Sequence, residues 1–202
     1  MQIKEANLIK IIEGIDFDRL DKNPNILIAA HFWEKERLEA AQLCYTFMRT
    51  VDDLIDDQKS KDETLSCLDK ERFTEKVSTW TNCLNGLSTG DEFLNEVSDT
   101  IQKFKIPVVY FNNFARSMIF DINYDSFATF DDFIAYSEGA SNGPASVFVH
   151  LACLECQDGV YEQPHSNISD LARPCALFSY IVHIIRDFQK DQLDNLNYFA
   201  KD

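Results

Sequence analysis

The chain is poor in the residues that break helices. Its 202 residues include only six Gly and five Pro. Both residue types force turns and end regular elements, so their scarcity favours a few long helices over many short strands. Positive charge is also short: 19 Lys and Arg stand against 34 Asp and Glu, a net charge of −15. A surface of that sign repels nucleic-acid backbones and anionic headgroups, which argues against nucleic-acid binding and against polybasic attachment to a membrane. No unbroken run of 18 apolar residues occurs, so no spanning helix is expected. The start, Met1-Gln2-Ile3-Lys4-Glu5, lacks the apolar centre of a secretory signal, and the expected location is the cytoplasm. Six cysteines, Cys44, Cys67, Cys83, Cys153, Cys156 and Cys175, are scattered through apolar helical patterns. They read as reduced, buried thiols. Cys153 and Cys156 make a lone CxxC with neither the second pair of a zinc site nor the preceding strand of a redox motif.

The chain is rich in apolar residues, at 45%, and in Phe, with sixteen. That is enough for one domain over residues 1–202 with a core, or an apolar cavity, built from large rings. Helical periodicity fills most of the sequence between sparse breaks at Lys22–Asn25, Gly86–Gly90, Ile106-Pro107 and Gly159–Asn167. Helices are expected near Asn7–Gly14, Glu34–Asp57, Glu63–Leu87, Glu92–Phe104, Val108–Tyr124, Phe130–Glu155 and Ile168–Lys190. The second has a buried stripe at Leu43, Phe47, Val51 and Leu54, and another face carrying Tyr45, Arg49, Asp52 and Asp56. Thr129 and Asp132 form a capping box at the start of the sixth, and Gly139 with Gly143 predicts a kink within it.

Two acidic constellations carry the chemistry. In Asp52-Asp53-Leu54-Ile55-Asp56-Asp57, the pairs Asp52/Asp56 and Asp53/Asp57 each share a helix face one turn apart. Like charges at that spacing repel, and the C-terminal half of a helix disfavours negative charge further. A divalent cation reverses the sign of that repulsion. Magnesium is a hard ion that takes one or two carboxylates together with phosphate oxygens. The second constellation, Arg186-Asp187-Phe188-Gln189-Lys190-Asp191, repeats the spacing at Asp187 and Asp191. It follows an apolar run, Leu177–Ile185, that reads as a buried segment opening onto a cavity mouth. Arg186 and Lys190 are suited to phosphate oxygens. A solvated helix end would explain either pair alone; two pairs, each preceded by an apolar helix and an Arg, favour metal binding. A third pair, Asp121 and Asp125, closes the helix bearing Phe111, Phe114 and Met118, and reads as a helix end turned to solvent.

The segment Tyr45-Thr46-Phe47-Met48-Arg49-Thr50-Val51-Asp52-Asp53-Leu54-Ile55-Asp56-Asp57 resembles the first aspartate motif of squalene and phytoene synthases, roughly Y-A-F-C-R-x-x-D-D-x-x-D. Ile185-Arg186-Asp187-Phe188-Gln189-Lys190-Asp191 resembles their second motif, I-L-R-D-x-x-E-D, and Tyr198-Phe199 the Y-L that follows. Asp121 and Tyr136 fall where the family has an acid before a Y-C-x-x-V-A-G helix. The likeness runs from about residue 25 to the end.

The resemblance implies an all-α isoprenoid-synthase bundle around a central apolar cavity, with the two aspartate helices facing each other across its mouth. It implies magnesium-assisted head-to-head joining of two prenyl diphosphates, farnesyl or geranylgeranyl, to a squalene- or phytoene-type product, with NADPH consumed if the product is squalene. By the same resemblance Asp52, Asp56, Asp187 and Asp191 hold the metal. Arg49, Arg186, His183 and Tyr198 bind substrate, and Tyr45, Arg49 and Tyr136 serve catalysis. A peripheral membrane contact would release the apolar product. It also implies further helices beyond residue 202, so the chain reads as a divergent, C-terminally short member.

Several positions depart from the family pattern. Q-x-x-N before the second motif is replaced by Tyr180 and His183. The L-G-x-A stretch reads Cys175-Ala176-Leu177-Phe178. The S-x-S-F stretch is missing near Asn25-Ile26, and Leu196 replaces an Arg. These departures motivate an alternative, a non-catalytic relative acting as an assembly or binding protein, against which the four retained aspartates argue.

Overall fold

The fold is a stack of helices in which the backbones approach most closely at two glycines, Gly139 and Gly143. A computed structural model describes residues 10, 13–14, 24–59, 65–87, 90–124, 126–193 and 198–199; the side chains of Asp56, Asp57 and Lys190 fall outside that description. So do Asp125, Leu196 and most of the helix expected near Asn7–Gly14.

Helix α1 spans Pro24–Ala30. Proline is tolerated in the first turn, where its missing N–H has no partner to lose, so the Lys22–Asn25 break starts a helix. Helix α2 spans Lys35–Lys59. Its buried residues, Ala40, Cys44, Phe47, Met48, Val51 and Ile55, step by three and four. The stripe is displaced slightly from the expected one, because Leu43 and Leu54 are only half-buried. Helix α3, Cys67–Cys83, is capped by Ser66, whose hydroxyl accepts from Asp69 N at 3.2 Å. Helix α4 is Glu92–Lys103 and α5 is Val109–Asn123.

The long sixth helix expected from the sequence is two helices, α6 at Phe130–Ala140 and α7 at Asn142–Cys153, broken at Ser141. The capping box forms as expected: Asp132 N donates to the Thr129 hydroxyl at 3.1 Å and Thr129 N donates to the Asp132 carboxylate at 3.0 Å. The two glycines explain the packing here. A Cβ on Gly139 would lie 2.2 Å from the Asn113 carbonyl oxygen and 2.2 Å from Ser117 Oγ, and one on Gly143 would lie 2.8 Å from the Tyr110 carbonyl oxygen. Only residues without a side chain let α6 and α7 lie this close to α5.

A short antiparallel hairpin, β1 at Glu155–Gln157 and β2 at Val160–Glu162, was not foreseen. Asp158 and Gly159 turn it with φ of 51° and 81°, the left-handed pair a two-residue turn needs. Helix α8 then runs Ile168–Leu193.

Helix α5 is central and packs on α2, α3, α6 and α7, while α7 packs on α2, α5, α6 and α8. Among the described residues, helices α2 and α8, which carry the aspartate motifs, share no extended interface; each meets α7. The main core gathers α2 to α5 and α7, with Phe47 edge-on to Phe111 at 5.9 Å. A smaller aromatic core, Phe127, Phe133, Tyr136 and Ile184, lies where α5, α6 and α8 meet.

Two expectations are corrected. The run Leu177–Ile185 is not a buried segment: Ile184 is buried, but Phe178 is 69% and Ile185 61% exposed. Helix α8 sits at the edge of the stack and turns one face to α6 and α7, leaving the other outward. Although it has no unbroken apolar run of 18 residues, Ile168–Gln189 is, among the described residues, the one stretch long and apolar enough to cross a membrane by length and composition. The cysteines are also not uniformly buried. All six are free thiols, with Cys44 and Cys83 buried and Cys67, Cys153, Cys156 and Cys175 exposed. The exposed four sit at helix ends, on the hairpin and on the outer face of α8.

Candidate active site

Helix periodicity places Tyr45, Arg49 and Asp52 on one side of α2, and the Arg49 guanidinium reaches forward one turn. Its Nη1 donates to Asp52 Oδ2 at 2.8 Å, and its Nη2 donates to Asp53 Oδ1. Burial alone would lower the Arg49 pKa, but Asp52 and Asp53, with a smaller contribution from Tyr45, outweigh it and raise it above the ordinary guanidinium value. The third nitrogen, Nε, is buried and has no hydrogen-bond partner among the described residues. A buried cationic N–H without an acceptor is costly unless a ligand supplies one. Asp56 lies on α2 one turn beyond Asp52; its side chain is outside the described residues.

Helix α8 repeats the arrangement in a more exposed form. Arg186 donates from Nε to Asp187 Oδ1 at 2.7 Å and from Nη2 to Asp187 Oδ2 at 2.5 Å, a two-pronged bond to its chain neighbour. That bond holds the Arg186 pKa above its ordinary value. Asp191 is half-buried one turn later, and His183 is half-buried one turn before Asp187.

The third part is buried. Asp121, expected at a solvated helix end, is 6% exposed. It accepts the Tyr136 hydroxyl at 2.5 Å. Tyr136 is held from behind, where its carbonyl oxygen accepts Ser117 Oγ at 2.8 Å beside the Gly139 contact. The Tyr180 hydroxyl on α8 donates to the Tyr136 hydroxyl oxygen at 3.3 Å. Rings of Phe120, Phe127, Phe133 and Tyr180 surround this chain, and Tyr198 packs against the same cluster. Burial, and then the unfavourable interaction of a phenolate with neighbouring Tyr180, Asp121 and Tyr198, pushes the Tyr136 phenol well above its ordinary pKa. At neutral pH it is therefore a donor, not a phenolate.

The structure thus brings Tyr45, Arg49 and Asp52 together on α2, His183, Arg186, Asp187 and Asp191 together on α8, and Tyr136 with Tyr198 in the aromatic core. Among the described residues, no three His, Cys, Asp or Glu side chains converge on one metal position. The donor chemistry still suits magnesium. Each helix offers partly accessible carboxylate oxygens, and that ion needs only one or two of them when phosphate oxygens complete its shell. A surface hollow of about 480 Å³ lined by Phe32, Trp33, Arg37 and Leu154 contains none of these residues.

The family model for squalene/phytoene synthase matches residues 22–200, a span that takes in α1 to α8. The chain belongs to the squalene/phytoene synthase family. No curated protein sequence matches it. Membership accounts for the all-α isoprenoid-synthase fold and makes the chain one of a family of prenyltransferases that join prenyl diphosphates head to head.

Two features of the site escape a reading of the sequence as a squalene/phytoene synthase. One is the burial of Asp121; the signal that could have found it is the pair Gly139 and Ser117, whose small size permits the α5–α6 approach. The other is Tyr180, which the family pattern marks only as a replaced residue.

Proposed function

We propose that this protein is a magnesium-dependent prenyltransferase that condenses two prenyl diphosphates, farnesyl or geranylgeranyl, head to head and releases diphosphate. The observation that carries the proposal is the Arg49 group on α2: a guanidinium bonded to two aspartates, with a buried N–H that has no partner among the described residues and is suited to an anionic oxygen. Asp52 and Asp56 on α2, with Asp187 and Asp191 on α8, would hold magnesium. The metal, when bound, neutralises diphosphate and makes it a better leaving group.

The chain's own residues do the rest. Arg49 and Arg186 orient the diphosphate through charge-assisted bonds, with His183 on the same face as Asp187. The aromatic core around Tyr136 excludes water and presents ring faces that stabilise a cation, and Tyr198 closes one side of it. Tyr45, beside Arg49, faces the diphosphate end. NADPH enters if the product is squalene. A cytoplasmic enzyme touching the membrane through the outer face of α8 would deliver such a product into lipid.

The replaced positions Tyr180 and His183 favour a second reading, a non-catalytic relative that binds or assembles other components. One experiment separates the two. The protein is incubated with labelled farnesyl or geranylgeranyl diphosphate, with magnesium or with EDTA and with or without NADPH, and diphosphate release and hydrocarbon products are measured. Magnesium-dependent release with a C30 or C40 product supports the enzyme. No release from either substrate, in a protein whose melting temperature is also unmoved by magnesium plus diphosphate, would refute it.

A further inference from the structure

The family match does not explain Tyr180. It stands on α8 with its ring parallel to Phe133 at 6.1 Å and 6.2 Å from the Tyr136 ring. Its hydroxyl donates to Tyr136, and Tyr136 in turn donates to Asp121. The order of donation is set by chemistry. A carboxylate can only accept, so the Tyr136 proton points at Asp121. The Tyr136 oxygen is then left as an acceptor, and the Tyr180 proton points inward to it. The result is a directed chain, Tyr180 to Tyr136 to Asp121, spanning α8, α6 and α5.

We propose that Tyr180 is a positioning residue for Tyr136, donating a hydrogen bond that locks the Tyr136 hydroxyl onto the buried Asp121 carboxylate and fixes its ring at the wall of the prenyl site. This rests on the reading of the protein as a prenyltransferase. A donor on a phenol oxygen polarises that phenol and strengthens the bond it makes onward. Removing the Tyr180 hydroxyl leaves Tyr136 bonded to Asp121 through a less polarised bond, its hydroxyl held from one side only. Where the cation forms against the Tyr136 ring, the loss falls on the chemical step and not on substrate binding.

The test uses the whole chain as wild type, Tyr180→Phe, Tyr136→Phe and Asp121→Asn, with two readouts. The first needs no substrate. A hydroxyl proton held in a buried hydrogen bond to a carboxylate is shifted downfield and exchanges slowly with water, so NMR detects it. That resonance is expected in the wild type, absent in Tyr136→Phe, and shifted upfield with faster exchange in Tyr180→Phe. The second is steady-state diphosphate release from farnesyl diphosphate. In Tyr180→Phe, kcat is expected to fall about fivefold, the equivalent of one neutral hydrogen bond, with KM unchanged. Because Phe keeps the ring stack on Phe133, a merely structural hydrogen bond would move the resonance but leave kcat where it was. A resonance that does not move in Tyr180→Phe overturns the proposal, as does an unchanged kcat in an active enzyme. Lack of turnover in the wild type would sink the assigned function, while the resonance would still show whether Tyr180 donates to Tyr136.

Discussion

Replacing Arg49 with Gln should change metal binding in opposite directions depending on whether diphosphate is present. In the free protein Arg49 occupies Asp52 and Asp53, with side-chain exposures of 27%, 33% and 38% for the three groups. Ion pairs at this exposure are worth roughly 0.2–1 kcal/mol each after solvent screening. A cation entering alone must loosen both and tolerate the guanidinium beside it. Removing Arg49 lifts that competition, worth about 1 kcal/mol in total, or about fivefold in affinity. With diphosphate present the sign changes. Arg49 can then turn its Nη groups to phosphate oxygens, and losing a charge-assisted bond costs about 1.5–3 kcal/mol, or roughly 10- to 100-fold. The assay is Mn²⁺ binding by electron paramagnetic resonance or calorimetry, with and without inorganic diphosphate. Arg49→Gln should bind Mn²⁺ about fivefold tighter alone and at least tenfold weaker with diphosphate. Arg49→Lys should recover only part of the second effect, because an ammonium keeps the charge but not the fork. If Arg49→Gln weakens Mn²⁺ binding under both conditions, or alters neither, the idea of a guanidinium exchanging aspartate for phosphate is wrong.

Three further outcomes follow from the packing and the thiols. Gly139→Ala places a Cβ 2.2 Å from the Asn113 carbonyl oxygen and Ser117 Oγ; overpacking of this kind costs about 1–3 kcal/mol and should lower Tm by roughly 3–9 °C in a thermal melt followed by circular dichroism. Thr129→Ala removes half of the α6 capping box and should cost about 1 kcal/mol, lowering Tm by about 3 °C; no change would mean that the cap contributes nothing to the folded state. Burial pushes the Cys44 thiol up to about 12, so its reactive thiolate is scarce well above neutral pH. Iodoacetamide on the native protein should therefore modify Cys67, Cys153, Cys156 and Cys175 and spare Cys44 and Cys83, and raising the pH from 7 to 9 should leave Cys44 unlabelled by mass spectrometry.

The α2 motif is legible in sequence because its meaning is local. Arg49, Asp52 and Asp53 lie three and four residues apart, and helix geometry alone brings such side chains together. The capping box at Thr129 is legible for the same reason. What fails to show is whatever depends on a second element. Asp121 reads as a solvated helix end until Tyr136 arrives from α6, and that approach depends on the missing side chain of Gly139. Helix α8 is apolar on nearly every face, so its periodicity could not say which face would be covered; Ile184 went in and Ile185 stayed out. The hairpin strands are three residues each, too short for alternation to register, and only Asp158-Gly159 announces them. Pro24 looks like a break because a proline that opens a helix and one that ends it are the same residue in a sequence.

The choice between enzyme and scaffold turns on what a fold would keep without chemistry to do. Asp121 sits in an aromatic core where a Leu would pack without desolvating a carboxylate, and replacing buried ionic groups with well-packed apolar ones is often neutral or stabilising. The Tyr136 and Tyr180 hydroxyls raise the same question, since Phe at either position would keep every ring contact. A scaffold that needs only its surface gains nothing from a hydroxyl–hydroxyl–carboxylate chain at the junction of three helices. The acids on α2 and α8 point the same way. Each group sits beside its own Arg, an arrangement that keeps the acids paired at rest and lets them be released when a more highly charged ligand competes. A surface built only to dock another protein would do as well with neutral polar groups and would avoid the like-charge repulsion within each motif. The physical case for catalysis therefore rests less on the number of aspartates than on Asp52, Asp53 and Asp187, each paired with an Arg that could hand it over.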